Sequence, residues 1–341
     1  MKVICRVPIR INLANGGDTD YYLREIGWGC VVNVTLSSHF YEVELNDQQD
    51  SKLEIVDYFD YMNNMNREYK IESDFSELEL LKATLKKLIF TGKNSFILRT
   101  NVPMQSGLGG SSSLAVALIG AIKYYNHSET NPQGVASQAY ELERSGLNIP
   151  GGYQDQYAAA FGRGFNYMEF KPNSVNVENF KLPEETIKKL EKNIVLYYLS
   201  KRKVSGTEVH HAQEDTAKKD PETIRKLLIE KRDNALKIKA ALLKGKLEEF
   251  GNLLRIDGEL KNKLSSKVSN YYTDSIMKTA LDNGALGGKV SGAGSGGCMF
   301  FYVPDENLKS FRRAMSSTGA IEMNFRFQRS FEPGIMIREI K

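Results

Sequence analysis

Residues 103–113 read Pro-Met-Gln-Ser-Gly-Leu-Gly-Gly-Ser-Ser-Ser, between a strand-like segment at 95–100 and the apolar run 114–122. Glycines let the backbone adopt left-handed angles and approach a ligand closely, and consecutive N–H groups in such a turn form a concave site for anions. A helix that begins directly after the turn adds unpaired N–H groups and the positive end of its dipole. The stretch therefore predicts a phosphate-binding loop, although a glycine-rich helix start with serine caps would have a similar sequence.

This loop differs from a P-loop, because it lacks Gly-Lys-Ser/Thr and has no lysine within it. A second glycine-rich segment, 291–297, reads Ser-Gly-Ala-Gly-Ser-Gly-Gly and leads into the strand-like run 298–303. A dinucleotide-binding turn would open into a helix instead, so that interpretation is excluded. The segment could be a flexible hairpin turn. Its many glycines, however, predict close packing against another backbone or a ligand.

A third segment, 151–157, reads Gly-Gly-Tyr-Gln-Asp-Gln-Tyr and places Asp155 after two glycines. An acid there can cap a helix, or it can be a catalytic carboxylate in a cleft lined by glycine. The local sequence leaves both open. Residues 3–13 alternate between apolar and polar, which predicts a half-buried strand with Arg10 on its polar face.

Composition narrows the class of protein. The chain has 341 residues, enough for two domains, and a net charge of +4. It shows no concentrated basic face for nucleic acid, and no run approaches the roughly 18 apolar residues of a membrane span. Its start does not resemble a signal peptide. Three separated cysteines match no metal-ligand spacing and favour a reducing compartment. We therefore expect a cytoplasmic protein that binds neither nucleic acid nor membranes.

Strand and helix signals are mixed without a strict βαβ repeat, which predicts an α+β fold. The polar segment 171–185 contains two prolines and marks the expected boundary between domains at 1–180 and 181–341. Other predicted elements are strands at 30–36, 39–45, 165–170, 194–199, 324–327 and 335–337, and helices at 76–90, 114–125, 133–145, 222–262 and 308–317.

Three segments together resemble the motifs of the GHMP kinases, a family that includes galactokinase and mevalonate kinase. They are 103–113, 291–297 and 8–21, which reads Pro-Ile-Arg-Ile-Asn-Leu-Ala-Asn-Gly-Gly-Asp-Thr-Asp-Tyr. The resemblance covers nearly the whole chain and implies a two-domain fold. It consists of an N-terminal part like domain 2 of ribosomal protein S5 and a ferredoxin-like C-terminal part, with the active site in the cleft between them. It also implies an ATP-dependent sugar kinase that uses Mg²⁺. We expect a monomer or a homodimer.

Within the family, residues 151–162, 165–170 and 283–294 resemble kinases of D-glycero-D-manno-heptose 7-phosphate. This implies phosphorylation of the anomeric hydroxyl to the 1,7-bisphosphate, on the way to nucleotide-activated heptose. The turn 15–20 is one residue longer than in those kinases and ends as in galactokinase. Galactose, fucose, glucuronate or a mevalonate-like acid are therefore alternative acceptors. A non-catalytic metabolite-binding regulator is a further alternative.

The resemblance implies that Asp155 accepts or orients the substrate proton, with Arg10 as its basic partner, and that Glu143 and Ser111 bind magnesium. From local sequence alone, Arg10 could be a surface ion-pair residue and Glu143 a helix-surface acid. The predicted ATP-binding residues are Pro103, Ser106, Gly107, Leu108, Gly109, Gly110, Ser111, Ser112 and Ser113. The predicted substrate-binding residues are Asp18, Thr19, Asp20, Gly151, Gly152, Gln154, Gly292, Gly294 and Arg202. Arg202 lies in the basic cluster 201–203, which we expect to receive the phosphate of a phosphorylated sugar.

Overall fold

The computed structural model of the protein describes residues 1–16, 19–47, 52–63, 65, 67–70, 79–88, 94–200 and 206–340. The strands are β1 (Lys2–Ala14), β2 (Gly29–Asn46), β3 (Lys52–Val56), β4 (Arg67–Lys70), β5 (Ser95–Thr100), β6 (Phe165–Lys171), β7 (Ser174–Asn179), β8 (Ile194–Ser200), β9 (Gly287–Val290), β10 (Gly297–Tyr302), β11 (Ile321–Met323) and β12 (Met336–Ile340). The helices are α1 (Thr19–Ile26), α2 (Tyr58–Asn63), α3 (Glu79–Lys87), α4 (Gly110–Tyr125), α5 (Pro132–Glu141), α6 (Gln154–Phe161), α7 (Glu184–Asn193), α8 (Gly206–Lys219), α9 (Pro221–Leu243), α10 (Leu247–Lys263), α11 (Tyr271–Asp282) and α12 (Leu308–Met315).

The larger of two sheets is built around the long strand β2. Most of β2 is antiparallel to β1, while its C-terminal half pairs with β5 and its N-terminal half pairs with β6. Strands β3 and β4 extend the sheet beyond β5, β7 extends it beyond β6, and β12 lies outside β1. Helix α4 packs on β1 and β2 with residues 115–122 all buried, which explains why this helix is apolar on nearly every side.

The smaller sheet has the strand order β11-β8-β10-β9, and all its pairs are antiparallel. Neighbouring side chains on a strand point to opposite faces, so Phe300 and Phe301 of β10 enter different clusters. Phe301 packs with Phe311 of α12, and Phe300 shares a cluster with Phe250 of α10. That second cluster also contains Ile11 of β1, so the two sheets share one apolar core.

The prediction of an α+β fold is confirmed, and so is the strand at 3–13. This strand is more than half-buried, however, because its polar face is covered as well, except at Arg6. Its polar residues Arg10 and Asn12 are each 4% exposed. The predicted strands 30–36 and 39–45 are one continuous strand, β2.

Several predicted helices end elsewhere. Residues 222–262 are helical, as predicted, but they form two helices, because Gly245 adopts a φ of 66° after α9 and the chain starts again as α10. The predicted helix 133–145 ends at Glu141 as α5 and continues as the π-turn Leu142–Gly146. Helices α1, α7 and α8 and strands β4, β7 and β11 are among the elements that were not predicted from the sequence.

The predicted strand 324–327 is wrong. Its backbone instead contacts the edge of β2, where Ser37 N donates to Arg326 O at 2.9 Å and Leu36 forms an isolated bridge with Phe327. The domain boundary at 180/181 stays a prediction. Strand β7 belongs to the larger sheet and β8 to the smaller one, while β12 returns to the larger sheet. Among the described helices, none combines the length and the apolar character that crossing a membrane requires.

Candidate active site

Arg10 on β1 and Asp155 in the first turn of α6 form a bidentate ion pair. Arg10 Nε donates to Asp155 Oδ1 at 2.9 Å, and Nη2 lies 2.7 Å from both carboxylate oxygens. The Arg10 side chain is 5% exposed, whereas that of Asp155 is 29% exposed. Arg10 Nη1 also donates to Gly107 O at 2.7 Å. The buried guanidinium therefore fixes the carboxylate next to the glycine-rich loop. The N-cap of α6 is Tyr153, so Asp155 does not cap this helix.

The glycine-rich loop leads into α4 four residues earlier than the predicted start, at Gly110. Its N-cap is Gly109, which has a φ of 84° and no side-chain cap. The three serines therefore occupy the first turn, and none of them caps the helix. The first N–H groups of a helix have no partner within it. They are available here to bind an anion at the positive end of the helix dipole.

The three serine hydroxyls have different partners. Ser111 Oγ donates to one oxygen of Glu143 at 2.9 Å, and Ser112 Oγ donates to the other at 2.8 Å. Ser113 Oγ donates to Pro8 O at 3.0 Å, so its hydroxyl faces β1 rather than a ligand.

Glu143 lies in the π-turn after α5 and is 4% exposed. Burial raises the pKa of its carboxyl group, although hydrogen bonds from Ser111, Ser112 and Gln156 act in the opposite direction. All three donors are neutral, and no ion pair of Glu143 is found within the described part of the chain. A buried carboxylate without a positive partner is costly, so this position fits a cation. No cluster of three or more His, Cys, Asp or Glu residues suited to a metal occurs among the described residues. The arrangement suits Mg²⁺, which commonly binds one or two carboxylates together with substrate phosphates.

The turn before α6 touches the start of α1. Thr19 Oγ1 accepts a hydrogen bond from Tyr153 N at 2.8 Å. A Cβ atom on Gly152 would lie 1.8 Å from Thr19 Oγ1 and 2.4 Å from Thr19 N. Behind this contact, Asp20 pairs with Arg144 Nε at 2.8 Å. Burial raises the pKa of Asp20, opposed by its hydrogen-bonded neighbours.

We expect the Gly152→Ala substitution to separate these two segments, because the backbone of Thr19 cannot move aside cheaply. Overpacking of this kind costs about 1–3 kcal/mol, so the free energy of unfolding should fall by about that amount. Denaturant titration of the purified variant measures it. Gly146→Ala is the matched control, since its added carbon would meet only Leu142 Cδ1, at 3.4 Å. Equal stability of the two variants would contradict the close approach.

These side chains converge on a cavity of about 170 Å³ between the larger sheet and the C-terminal part of the chain. His210 of α8 and Ala293 also line it. The predicted residues that line it are Arg10, Ser111, Ser112, Glu143, Gly151, Gly152, Gln154, Asp155 and Gly292. The predicted residues that do not line it are Thr19, Asp20, Pro103, Ser106, Gly107, Leu108, Gly109, Gly110, Ser113 and Gly294. Asp18 and Arg202 lie outside the described residues.

Comparison with known proteins gives the family. The GHMP kinases N terminal domain matches residues 77–163, and the GHMP kinases C terminal domain matches residues 238–321. A D-glycero-alpha-D-manno-heptose 7-phosphate kinase of Campylobacter jejuni is 35% identical over 96% of this chain and 97% of its own. The chain belongs to the GHMP kinase family. It is an ATP-dependent kinase, as predicted.

Two crystal structures share the two-domain GHMP kinase fold. A D-glycero-D-manno-heptose 1-phosphate kinase from Bacteroides thetaiotaomicron matches with a TM-score of 0.75 and 27% identity, covering 99% of each chain. Lactococcus lactis galactokinase complexed with galactose matches with a TM-score of 0.76, covering 98% of this chain and 95% of its own. At 19% identity, the galactokinase supports the fold alone.

The second glycine-rich segment of this GHMP kinase packs against the first, as its glycine content predicted. Ser291 Oγ donates to Gly107 O at 2.9 Å, and Cys298 N donates to Ser106 O at 2.7 Å. A Cβ atom on Gly297 would lie 2.6 Å from Ser106 O. The segment therefore closes one side of the cavity against the glycine-rich loop 103–113.

A buried charge cluster in this kinase was not predicted from the sequence. Lys289 of β9 forms a close ion pair with Asp257 of α10 and donates to Asn12 Oδ1 at 2.9 Å and to Asn15 O at 3.2 Å. Asp257 also accepts from Asn15 N at 2.8 Å and lies 3.4 Å from Lys231 Nζ. Burial lowers the pKa of Lys289 to about 8, although Asp257 opposes this. The cluster holds Asn12 and Asn15, which come shortly before the predicted substrate-binding residues 18–20 in the sequence. The signal that could have predicted this cluster is Lys289, a lysine within the otherwise apolar strand β9.

Proposed function

We propose that this GHMP kinase transfers the γ-phosphate of ATP to the anomeric hydroxyl of D-glycero-D-manno-heptose 7-phosphate. The product would be the 1,7-bisphosphate used to make nucleotide-activated heptose. The observation that carries the proposal is the cavity in which the Arg10–Asp155 pair faces Ser111 and Glu143. Two relatives support a heptose phosphate as substrate, although their names differ in the position of the phosphate.

In this proposal, Asp155 accepts the proton of the sugar hydroxyl while that oxygen attacks the γ-phosphorus. The bond from the γ-phosphorus to the bridging oxygen breaks, and ADP leaves. Phosphoryl transfer depends mainly on positioning and on neutralising charge, so a single well-placed carboxylate is sufficient as base. Arg10 orients this carboxylate through three contacts. The N–H groups of the first turn of α4 bind phosphate oxygens.

Magnesium would be held by Glu143 and Ser111. When bound, it supplies positive charge that neutralises the phosphate oxygens. Ser112 and Gln156 act on the protein side, because both donate hydrogen bonds to the second oxygen of Glu143. They hold the carboxylate in one orientation.

The sugar would bind against the wall formed by Gly151, Gly152, Gln154 and Gly292. Gln154 is 3% exposed, and its Nε2 has no hydrogen-bond partner among the residues that the structure describes. Buried amide donors usually have a partner, so a ligand oxygen is the natural one here. Thr19, Asp20 and Gly294 shape this wall from behind. Asp18 and Arg202 remain predicted contacts to the sugar and to its phosphate.

We also propose that the enzyme works in the cytoplasm as a monomer or a homodimer, without binding nucleic acid. Its three cysteines are buried thiols, which suits a reducing compartment.

A coupled assay of ADP release with Mg·ATP tests the substrate. The acceptors are heptose 7-phosphate, heptose 1-phosphate, mannose, galactose, fucose and glucuronate, each over the same concentration range. We expect the highest kcat/KM with heptose 7-phosphate. A preference for heptose 1-phosphate would mean that the acceptor hydroxyl is not the anomeric one, because that position already carries phosphate. Turnover of a free sugar would overturn the heptose proposal but keep the family, and no turnover with any acceptor would favour a metabolite-binding regulator.

A further inference from the structure

The second glycine-rich segment is held from behind by a buried lysine. Lys261 of α10 is 4% exposed, and its Nζ donates to Val290 O at 2.9 Å and to Gly292 O at 2.5 Å. Hydrogen bonds from an ammonium group are stronger than those from neutral donors. Lys261 does not line the active-site cavity, whereas Gly292 and Ala293 do. The lysine therefore acts on the cavity wall from its far side.

This contact sets the direction of one peptide group. In a trans peptide the carbonyl and the N–H point in opposite directions, and no cis peptide bond occurs in the described chain. Because Gly292 O faces Lys261, the N–H of Ala293 points away from α10. It donates no hydrogen bond to any residue in the described ranges. Unpaired buried N–H groups are rare, so this one is expected to meet a ligand.

The same segment begins beside the catalytic pair. Ser291 Oγ and Arg10 Nη1 donate to one shared acceptor, Gly107 O, at 2.9 and 2.7 Å. Arg10 in turn holds Asp155. The Gly292–Ala293 peptide thus directly follows Ser291, which contacts the phosphate-binding loop. Gly292 and Ala293 line the same cavity as Asp155, the predicted base.

We propose that the Ala293 N–H donates a hydrogen bond to an oxygen of the phosphoryl group during its transfer, and that Lys261 is the positioning residue that aims it. A donor fixed in advance stabilises developing charge without reorganising at the moment of reaction. Ala293 takes no proton and forms no bond to phosphorus. The inference rests on ATP-dependent kinase activity and holds for whichever sugar is the acceptor.

The Lys261→Met variant tests the proposal, because it removes the ammonium group and keeps an unbranched side chain. Loss of one aimed donor lowers kcat by about 10²-fold, and we expect the KM values to change little. Sulfur accepts hydrogen bonds poorly, so ATPγS should weaken the bond from the Ala293 N–H in wild type. The variant has already lost the aimed donor, so replacing oxygen by sulfur should cost it less. The ratio of kcat with ATP to kcat with ATPγS should therefore be smaller in the variant than in wild type. Lys261→Arg should restore part of kcat. Lys278→Met, at an exposed ion pair on α11, is the control.

The acceptor is the compound that wild type turns over fastest in the panel, or water as ATP hydrolysis if no sugar reacts. Failure of the heptose proposal therefore leaves this comparison intact. Thermal unfolding of each variant checks that it is folded. A kcat equal to that of Lys278→Met would overturn the proposal. So would an equal loss with ATP and ATPγS, because that pattern indicates a structural role alone.

Discussion

Replacing Asp155 with asparagine is expected to lower kcat by about a thousandfold, within the range of about 10²–10⁴ that a positioned general base contributes. The amide cannot accept the proton of the sugar hydroxyl. It has nearly the same shape as the carboxylate, however, and its oxygen can still accept a hydrogen bond from Arg10. We therefore expect the fold and the phosphate-binding loop to persist. Steady-state assays with the preferred sugar measure the loss, and titration with a non-hydrolysable ATP analogue measures nucleotide affinity.

Asp215→Asn is the matched control for this prediction. Asp215 is exposed on α8 and lies 3.5 Å from Lys218, so the same chemical change there should leave kcat unchanged. If Asp155→Asn turns over sugar as fast as this control does, Asp155 is not the base. If it loses ATP affinity as strongly as turnover, the ion pair with Arg10 serves to shape the phosphate-binding loop instead.

The parts of the candidate site that were predicted lie in short contiguous motifs. The phosphate-binding loop and Asp155 are each recognisable within about ten residues of sequence, because glycines and a helix start are local features. Arg10 is 145 positions from Asp155, and only the family resemblance linked the two. Lys289 contacts Asn12 across 277 positions, and Lys261 contacts Gly292 across 31. No local pattern reports such contacts.

The errors in the fold have similar causes. Helix α7 was not predicted although Pro183 stands at its N-cap, where the fixed φ and missing N–H of proline do little harm. Helix α7 has two apolar residues, Ile187 and Leu190, in a charged background, which is too few to predict a helix from apolar spacing. The π-turn at 142–146 mattered most for the site, since it carries Glu143. The sequence predicted a continuous helix there, and in such a helix Glu143 could have been a surface acid.

The second large effect is expected on the Mg²⁺ concentration that the enzyme requires. Glu143→Gln is expected to raise the Mg²⁺ concentration needed for half-maximal turnover by tenfold or more, since even changes in groups that only support a ligand cost about 10–100-fold in metal affinity. The amide has no charge to offset the ion. Titration of Mg²⁺ at fixed ATP measures the change. Glu141→Gln is the control, because Glu141 lies two residues earlier, is exposed, and pairs with Lys87 at 3.0 Å.

The Glu143→Gln substitution should change the stability of the protein in the opposite direction from its activity. Burial raises the pKa of Glu143 in the folded protein above that in the unfolded chain, so the folded state binds its proton more tightly. By linkage, the contribution of this group to folding becomes less favourable as pH rises from the unfolded pKa through the folded one. Without metal, Glu143→Gln should therefore be at least as stable as wild type at neutral pH. This difference should vanish below about pH 4, where both forms are uncharged.

The two measurements together separate a metal ligand from a structural acid. If Glu143 were a structural carboxylate held by Ser111 and Ser112, neutralising it would lower the stability of the protein and leave the Mg²⁺ requirement unchanged. A metal ligand is a charge that the folded protein tolerates at a cost, because the bound ion later offsets it. Unchanged Mg²⁺ dependence together with a lower melting temperature would therefore remove Glu143 from the metal site. The opposite pair of results would show that this buried acid is kept for the ion.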